Sequence, residues 1–170
     1  MPSLRGTGGG GGSSVANCTG AGTLTSDILE PNDATTTATQ ASLLPLSCTG
    51  LSIHTTTDLD VFEVDMIAGV TYYTNITFTH LNGDIDARWN TASSGFLSSS
   101  TSTSNVESMQ VTAQVNQSTY IEVYGWSGAT NVYDIEITTD NPGGGQAFES
   151  VDVSIINTTH ATLDFSGLTN

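Results

Sequence analysis

Between Asp58 and Thr139 apolar side chains recur at every second position, in short runs separated by turn residues, a period that half-buried strands satisfy and helices do not. Phe62, Val64 and Met66 fall on one face with Glu63 and Asp65 on the other, and Tyr72, Ile76 and Phe78 oppose Asn75 and Thr77. Ile85, Ala87 and Trp89 are set against Asp84, Asp86 and Arg88. The alternation continues through Met109, Val111 and Ala113, through Ile121 and Val123, and sets Tyr133, Ile135 and Ile137 against Asp134 and Glu136. Ala68-Gly69, Asn82-Gly83 and Ser127-Gly128 punctuate the runs. The pattern predicts an all-β domain, and a sandwich in preference to a barrel, because the strands are short and turn signals return about every 8–12 residues.

A chain of 170 residues holds one ordinary domain of roughly 100–150 residues with appendages. Residues 6–14, "GTGGGGGSS", can bury nothing, so residues 1–26 read as a Gly/Ser-rich linker and lead-in, and 27–140 as the sandwich. Residues 141–170 begin with "NPGGG" and carry two more alternating runs, Val151/Val153/Ile155 and Leu163/Phe165. They read as a second linker and the start of a further β-domain, too short here for a core of its own.

Lys is absent, Arg occurs only at positions 5 and 88, and Asp plus Glu number 17, for a formal charge of −15. Such a surface repels phosphate, which excludes nucleic acid and anionic lipid as partners, and it attracts cations. Cys18 and Cys48 have no C-x-x-C spacing and read as one disulfide, which places the chain in an oxidising compartment. Asn17, Asn75, Asn116 and Asn157 each head an N-x-[ST] triplet, either a glycosylation acceptor or a chance product of a Ser- and Thr-rich chain. No apolar run approaches the roughly 20 residues of a membrane span, and no signal peptide is visible, so a secreted or cell-surface location is inferred from the cysteines and triplets.

In the segment "DILEPNDA", Asp27 to Ala34, Glu30, Asn32 and Asp33 crowd around Pro31, which keeps the segment from pairing as a central strand. Carboxylates mixed with an amide on irregular backbone suit calcium. Pro followed by Asn and Asp also makes an ordinary turn, with Asp33 capping the residues after it.

The other constellations carry less chemistry. "GWSGA" at 125–129 approaches the G-x-S-x-G nucleophile elbow, but it joins two alternating strands, so Gly125 and Gly128 are expected in a hairpin loop and Ser127 is not expected to be catalytic. His54, His80 and His160 lack zinc-ligand spacing and read as isolated surface or strand-end residues. Asp84 and Asp86 read as an exposed acidic face with Arg88 as a neighbouring partner. Tyr73, Tyr120, Tyr124 and Trp126 form either a binding platform or the lining of a second covered face.

Four elements in order, "DILEPNDATTTATQA", "LDVFEVDMIAGVTYYTNITF", "GDIDARW" and "STYIEVYGWSGATNVYDIEIT", resemble the bacterial and archaeal pre-peptidase C-terminal domain, a family that includes the collagen-binding domains of clostridial collagenases. The likeness runs from about Asp27 to Thr139. It implies a jelly-roll-like antiparallel β-sandwich, non-catalytic, secreted, and attached to extracellular peptidases or other surface proteins, where it spaces, stabilises or targets a neighbouring domain. The alternative role is adhesion to a collagen-like matrix protein or a polysaccharide. The collagen-binding members bind calcium through their acidic opening and a later acidic pair, which corresponds here to Glu30, Asn32 and Asp33 with Asp58 and Asp60. Those members place another Glu where this chain has Ile28, so one ligand is lost unless Asp27 reaches round.

Overall fold

The computed structural model describes residues 14–15 and 17–139. The strands are β1 (Ser14–Val15), β2 (Asn17–Thr19), β3 (Thr39–Ala41), β4 (Leu46–Ile53), β5 (Leu59–Met66), β6 (Thr71–Phe78), β7 (Ile85–Thr91), β8 (Phe96–Ser100), β9 (Val106–Thr112), β10 (Gln117–Gly125) and β11 (Asn131–Thr139). They form two sheets, ordered β1-β3-β5-β10-β7-β8 and β2-β4-β11-β6-β9. The chain passes from one sheet to the other at every step from β3 to β11 except the β7–β8 hairpin. The result is an all-β sandwich. Its central ladders are antiparallel, whereas the lead-in strands pair in parallel, β1 on β3, β3 on β5 and β2 on β4, so both sheets are mixed rather than purely antiparallel.

The face that alternation turns inward is the core. Phe62, Ile76, Ile85, Ala87, Trp89, Ile121, Val123 and Ile137 are completely or almost completely buried between the sheets. Trp89 is satisfied there as well as packed: its Nε1 donates to Thr119 Oγ1 at 2.9 Å, and that hydroxyl donates to the Val64 carbonyl at 2.9 Å. A buried indole N–H needs such a partner, and this relay joins β7, β10 and β5.

One disulfide, Cys18–Cys48, fastens β2 to β4 at directly facing positions and closes a loop of 30 residues. Gly69, Gly83 and Gly128, expected as turn residues, all have positive φ. Gly83 is required sterically too, because a Cβ there would stand 2.4 Å from the Thr130 carbonyl oxygen. Among the described residues no helix is long and apolar enough to cross a membrane. The expectations for Asn157 and for residues 141–170 lie outside the described residues.

Candidate metal centre

β4 and β5 belong to different sheets, and the turn between them carries His54 and Asp58. The turn closes on itself: the Asp58 N–H donates to the Thr55 carbonyl at 3.3 Å, and Asp58 Oδ2 accepts the His54 backbone N–H at 2.6 Å. The opening segment is laid against the start of β5 by the Val61 N–H, which donates to the Asn32 carbonyl at 3.0 Å. Asp27 holds the segment from the other side, its two carboxylate oxygens accepting the backbone N–H groups of Leu29 and Ser52, each at 2.9 Å. Ile28 points into solvent.

These tethers bring Glu30, His54 and Asp58 together, with one ligand-capable atom from each lying within 4.8 Å of the others. His54 Nδ1 stands 3.4 Å from Glu30 Oε1 and 2.5 Å from Asp58 Oδ2. The carboxylates are nearly shut off from water, with side-chain exposures of 9 % for Glu30 and 1 % for Asp58. Glu30 Oε1 and Asp58 Oδ1 are nevertheless buried without a hydrogen-bond partner, and His54 Nδ1, buried with them, faces the two carboxylates without an aligned hydrogen bond. Burial pushes the Glu30 carboxyl up to about 7, and the neighbouring charges of Asp58, Asp33 and Asp27 add to the effect, against an Asn32 N–H that lowers it. A buried carboxylate that resists carrying its charge beside other acids is one that a cation relieves.

Asn32 and Asp60 stand behind this cluster and are already engaged. With its amide nitrogen turned toward the carboxylates, Asn32 donates to Asp60 Oδ1 at 2.9 Å and to Glu30 Oε2 at 3.3 Å. Asp60 Oδ2 accepts the Tyr133 hydroxyl at 2.5 Å. Asp60 is almost fully buried, and burial holds its carboxyl well above the usual range despite that hydroxyl. Asp33 is exposed, close enough to act on Glu30 electrostatically. Of the five residues expected at a metal site, Glu30 and Asp58 thus face each other, Asn32 and Asp60 support them, and Asp33 lies at the rim. His54 is the member that spacing did not reveal. It reads as isolated in sequence, but it follows directly on β4 and is folded back four residues onto Asp58.

The other histidine and acid expectations also change. His80 is paired, its Nδ1 lying 3.1 Å from Asp84 Oδ1. Asp86 is buried rather than part of an exposed face, and burial, with Asp84 and Glu107 nearby, raises its carboxyl to about 6. Arg88 pairs with Glu122 on the adjacent strand and lies 5.5 Å from the centre of the Tyr124 ring. His160 lies outside the described residues.

Ser127 sits in a short 3-10 turn, Trp126–Gly128, at φ 52°, and the turn crosses from β10 in one sheet to β11 in the other, so it is not the expected hairpin. Nor is it a strand-to-helix elbow. Tyr120 and Tyr124 point outward from β10, with Trp126 exposed just beyond the strand, whereas Tyr73 points outward from β6 in the opposite sheet. The four aromatics therefore do not form one platform. Asn17, Asn75 and Asn116 are exposed, and their side-chain oxygens accept from Ser47 N–H, Ser108 Oγ and Ala68 N–H respectively.

No family profile and no curated protein matches the chain. Solved structures similar to it in fold include the following two. One is the pre-peptidase C-terminal domain of a collagenase from Bacillus anthracis, at 10 % identity and a TM-score of 0.47, covering 59 % of this chain and 94 % of that one. The other is the Aeromonas hydrophila periplasmic inhibitor of g-type lysozyme, at 11 % identity and a TM-score of 0.43, covering 52 % of this chain and 80 % of that one.

Proposed function

We propose that this chain is a non-catalytic accessory module of an exported protein, a β-sandwich that spaces, stabilises or targets its neighbours and is pinned by a divalent cation. The carrying observation is the pair of buried, unpartnered carboxylate oxygens, Glu30 Oε1 and Asp58 Oδ1, brought together from segments 28 positions apart. Leaving such atoms unsatisfied costs roughly 1–3 kcal/mol each, more when charged, and an ion removes that cost. Glu30 and Asp58 would hold the ion, with Asp33 at the open rim and Asn32 and Asp60 fixing Glu30 from behind. The ion supplies positive charge that neutralises the cluster. Calcium is the ion that the family resemblance implies. The disulfide and the net charge of −15 agree with an oxidising, extracellular setting. Thermal melting with a divalent cation, calcium or zinc, and with chelator, at fixed ionic strength, tests the role of the ion; curves equal to chelator with both ions contradict it.

A second reading is adhesion to a collagen-like protein or a polysaccharide. Its support is the outward pair Tyr120 and Tyr124 on one strand face with Trp126 beyond it. Replacing both tyrosines by alanine should abolish matrix or glycan binding by the whole chain, if that is the role, while the chain stays folded.

A further inference from the structure

The cluster contains a nitrogen donor, and its free oxygens are few. Calcium takes 6–8 oxygen ligands, whereas Asp27 and Asp60 each have both carboxylate oxygens engaged in hydrogen bonds within the protein. One oxygen of Asp58 is taken by the His54 N–H, which leaves Oδ1 free, and Glu30 contributes Oε1. The third donor is an imidazole nitrogen, His54 Nδ1, which faces Asp58 Oδ2 at 2.5 Å without an aligned hydrogen bond, and such a nitrogen suits zinc and its neighbours among the transition metals far better than calcium. Donors bound to zinc at about 2.0–2.2 Å in a tetrahedral array stand roughly 3.3–3.6 Å from one another. His54 Nδ1 and Glu30 Oε1 are 3.4 Å apart.

We infer that His54 Nδ1 is a metal ligand, and that Glu30, His54 and Asp58 take a zinc-class divalent ion in preference to calcium. The inference rests on the divalent-cation reading above and assigns the ion's class. Three protein donors leave the remaining coordination positions to water.

The test uses the whole chain, freed of metal by chelation and dialysis, then titrated separately with zinc, cobalt(II) and calcium chlorides at constant ionic strength. Melting temperature is followed for each ion, and visible absorption for cobalt. Zinc should raise the melting temperature at concentrations at least about tenfold below those calcium needs, and cobalt should saturate near one equivalent. His54→Gln should erase the cobalt spectrum and weaken zinc by more than the roughly 10–100-fold that loss of an outer-shell partner costs, while any calcium response stays. His80→Gln and His160→Gln should change neither. A calcium response equal to or stronger than that of zinc, or a zinc and cobalt response untouched by His54→Gln, overturns the inference and leaves the cation reading standing. No response of the parent chain to any of the ions overturns both.

Discussion

Tyr133 on β11 gives its hydroxyl to Asp60 on β5 at 2.5 Å, a bond between the two sheets made by residues that are each 1 % exposed. Asp60 also receives the Asn32 amide, so the bond connects the sandwich interior to the opening segment. Tyr133→Phe removes the donor and leaves a buried acceptor short of a partner, which should cost about 1–3 kcal/mol in denaturant unfolding. Adding Asp60→Asn to that variant should recover part of the loss, because the remaining group no longer carries charge.

The acid-rich sites set a pH dependence. Glu30 is raised to about 7 and Asp86 to about 6, in both cases chiefly by burial. A carboxyl whose folded value lies above its unfolded value holds its proton more tightly when folded, so the native state is favoured at low pH. In chelator, stability should therefore fall as pH rises from about 4 and level off above about 7, by on the order of 1–3 kcal/mol for each group. Asp86→Asn should flatten the lower part of the profile, and saturating cation should suppress the Glu30 part. A profile in chelator that rises between these limits contradicts the assignment.

The cross-link between β2 and β4 closes a 30-residue loop, worth roughly 3–4 kcal/mol in the chain-entropy account. Replacing both Cys18 and Cys48 by serine should lower the unfolding free energy by about that amount. Mass spectrometry of the parent chain prepared without reductant should show no free thiol.

Gly50 has φ +66°, and a Cβ there would stand 2.9 Å from the Gly22 nitrogen. Its N–H donates to Asp134 Oδ1 at 2.7 Å, and the β4–β11 register shifts alongside it, between Tyr133 and Ile135. Gly50→Ala should therefore cost more than about 1 kcal/mol, the reverse of the gain such a change brings where φ is negative.

That same bulge explains what the sequence concealed. β6, β9, β10 and β11 alternate and were legible, whereas β5 and β7 alternate in their apolar residues but also bury Asp60, and Val61 and Asp86 from the other face, which the period of two did not show. In β4 the bulge at Gly50 cuts the alternation short after Thr49, so that Leu51, Ser52 and Ile53 are all buried. β8, "FLSSS", is an edge strand with little to bury and gives no apolar signal, and β1, β2 and β3 are only two or three residues long. At the site, Glu30 and Asp58 were legible because they share the resemblance to a known acidic pattern. The approach of His54 was not, because it comes from a turn that folds it onto Asp58, and a turn's closure leaves no periodic trace. The engagement of Asp60 with Tyr133 was equally hidden, since the two lie 73 positions apart.

If a divalent cation pins the opening segment to the β4–β5 turn through Glu30 and Asp58, the unfolding free energy of the parent chain must differ between saturating cation and chelator. That difference is to be set beside the same difference for Glu30→Gln with Asp58→Asn. The parent should gain roughly 2.7 kcal/mol when the free ion is a hundred times its dissociation constant. The double variant should gain nothing, and in chelator it should be at least as stable as the parent, since it no longer buries two repelling carboxylates. A parent chain whose unfolding is the same with cation and with chelator, or a double variant that keeps the full cation response, contradicts the pinning.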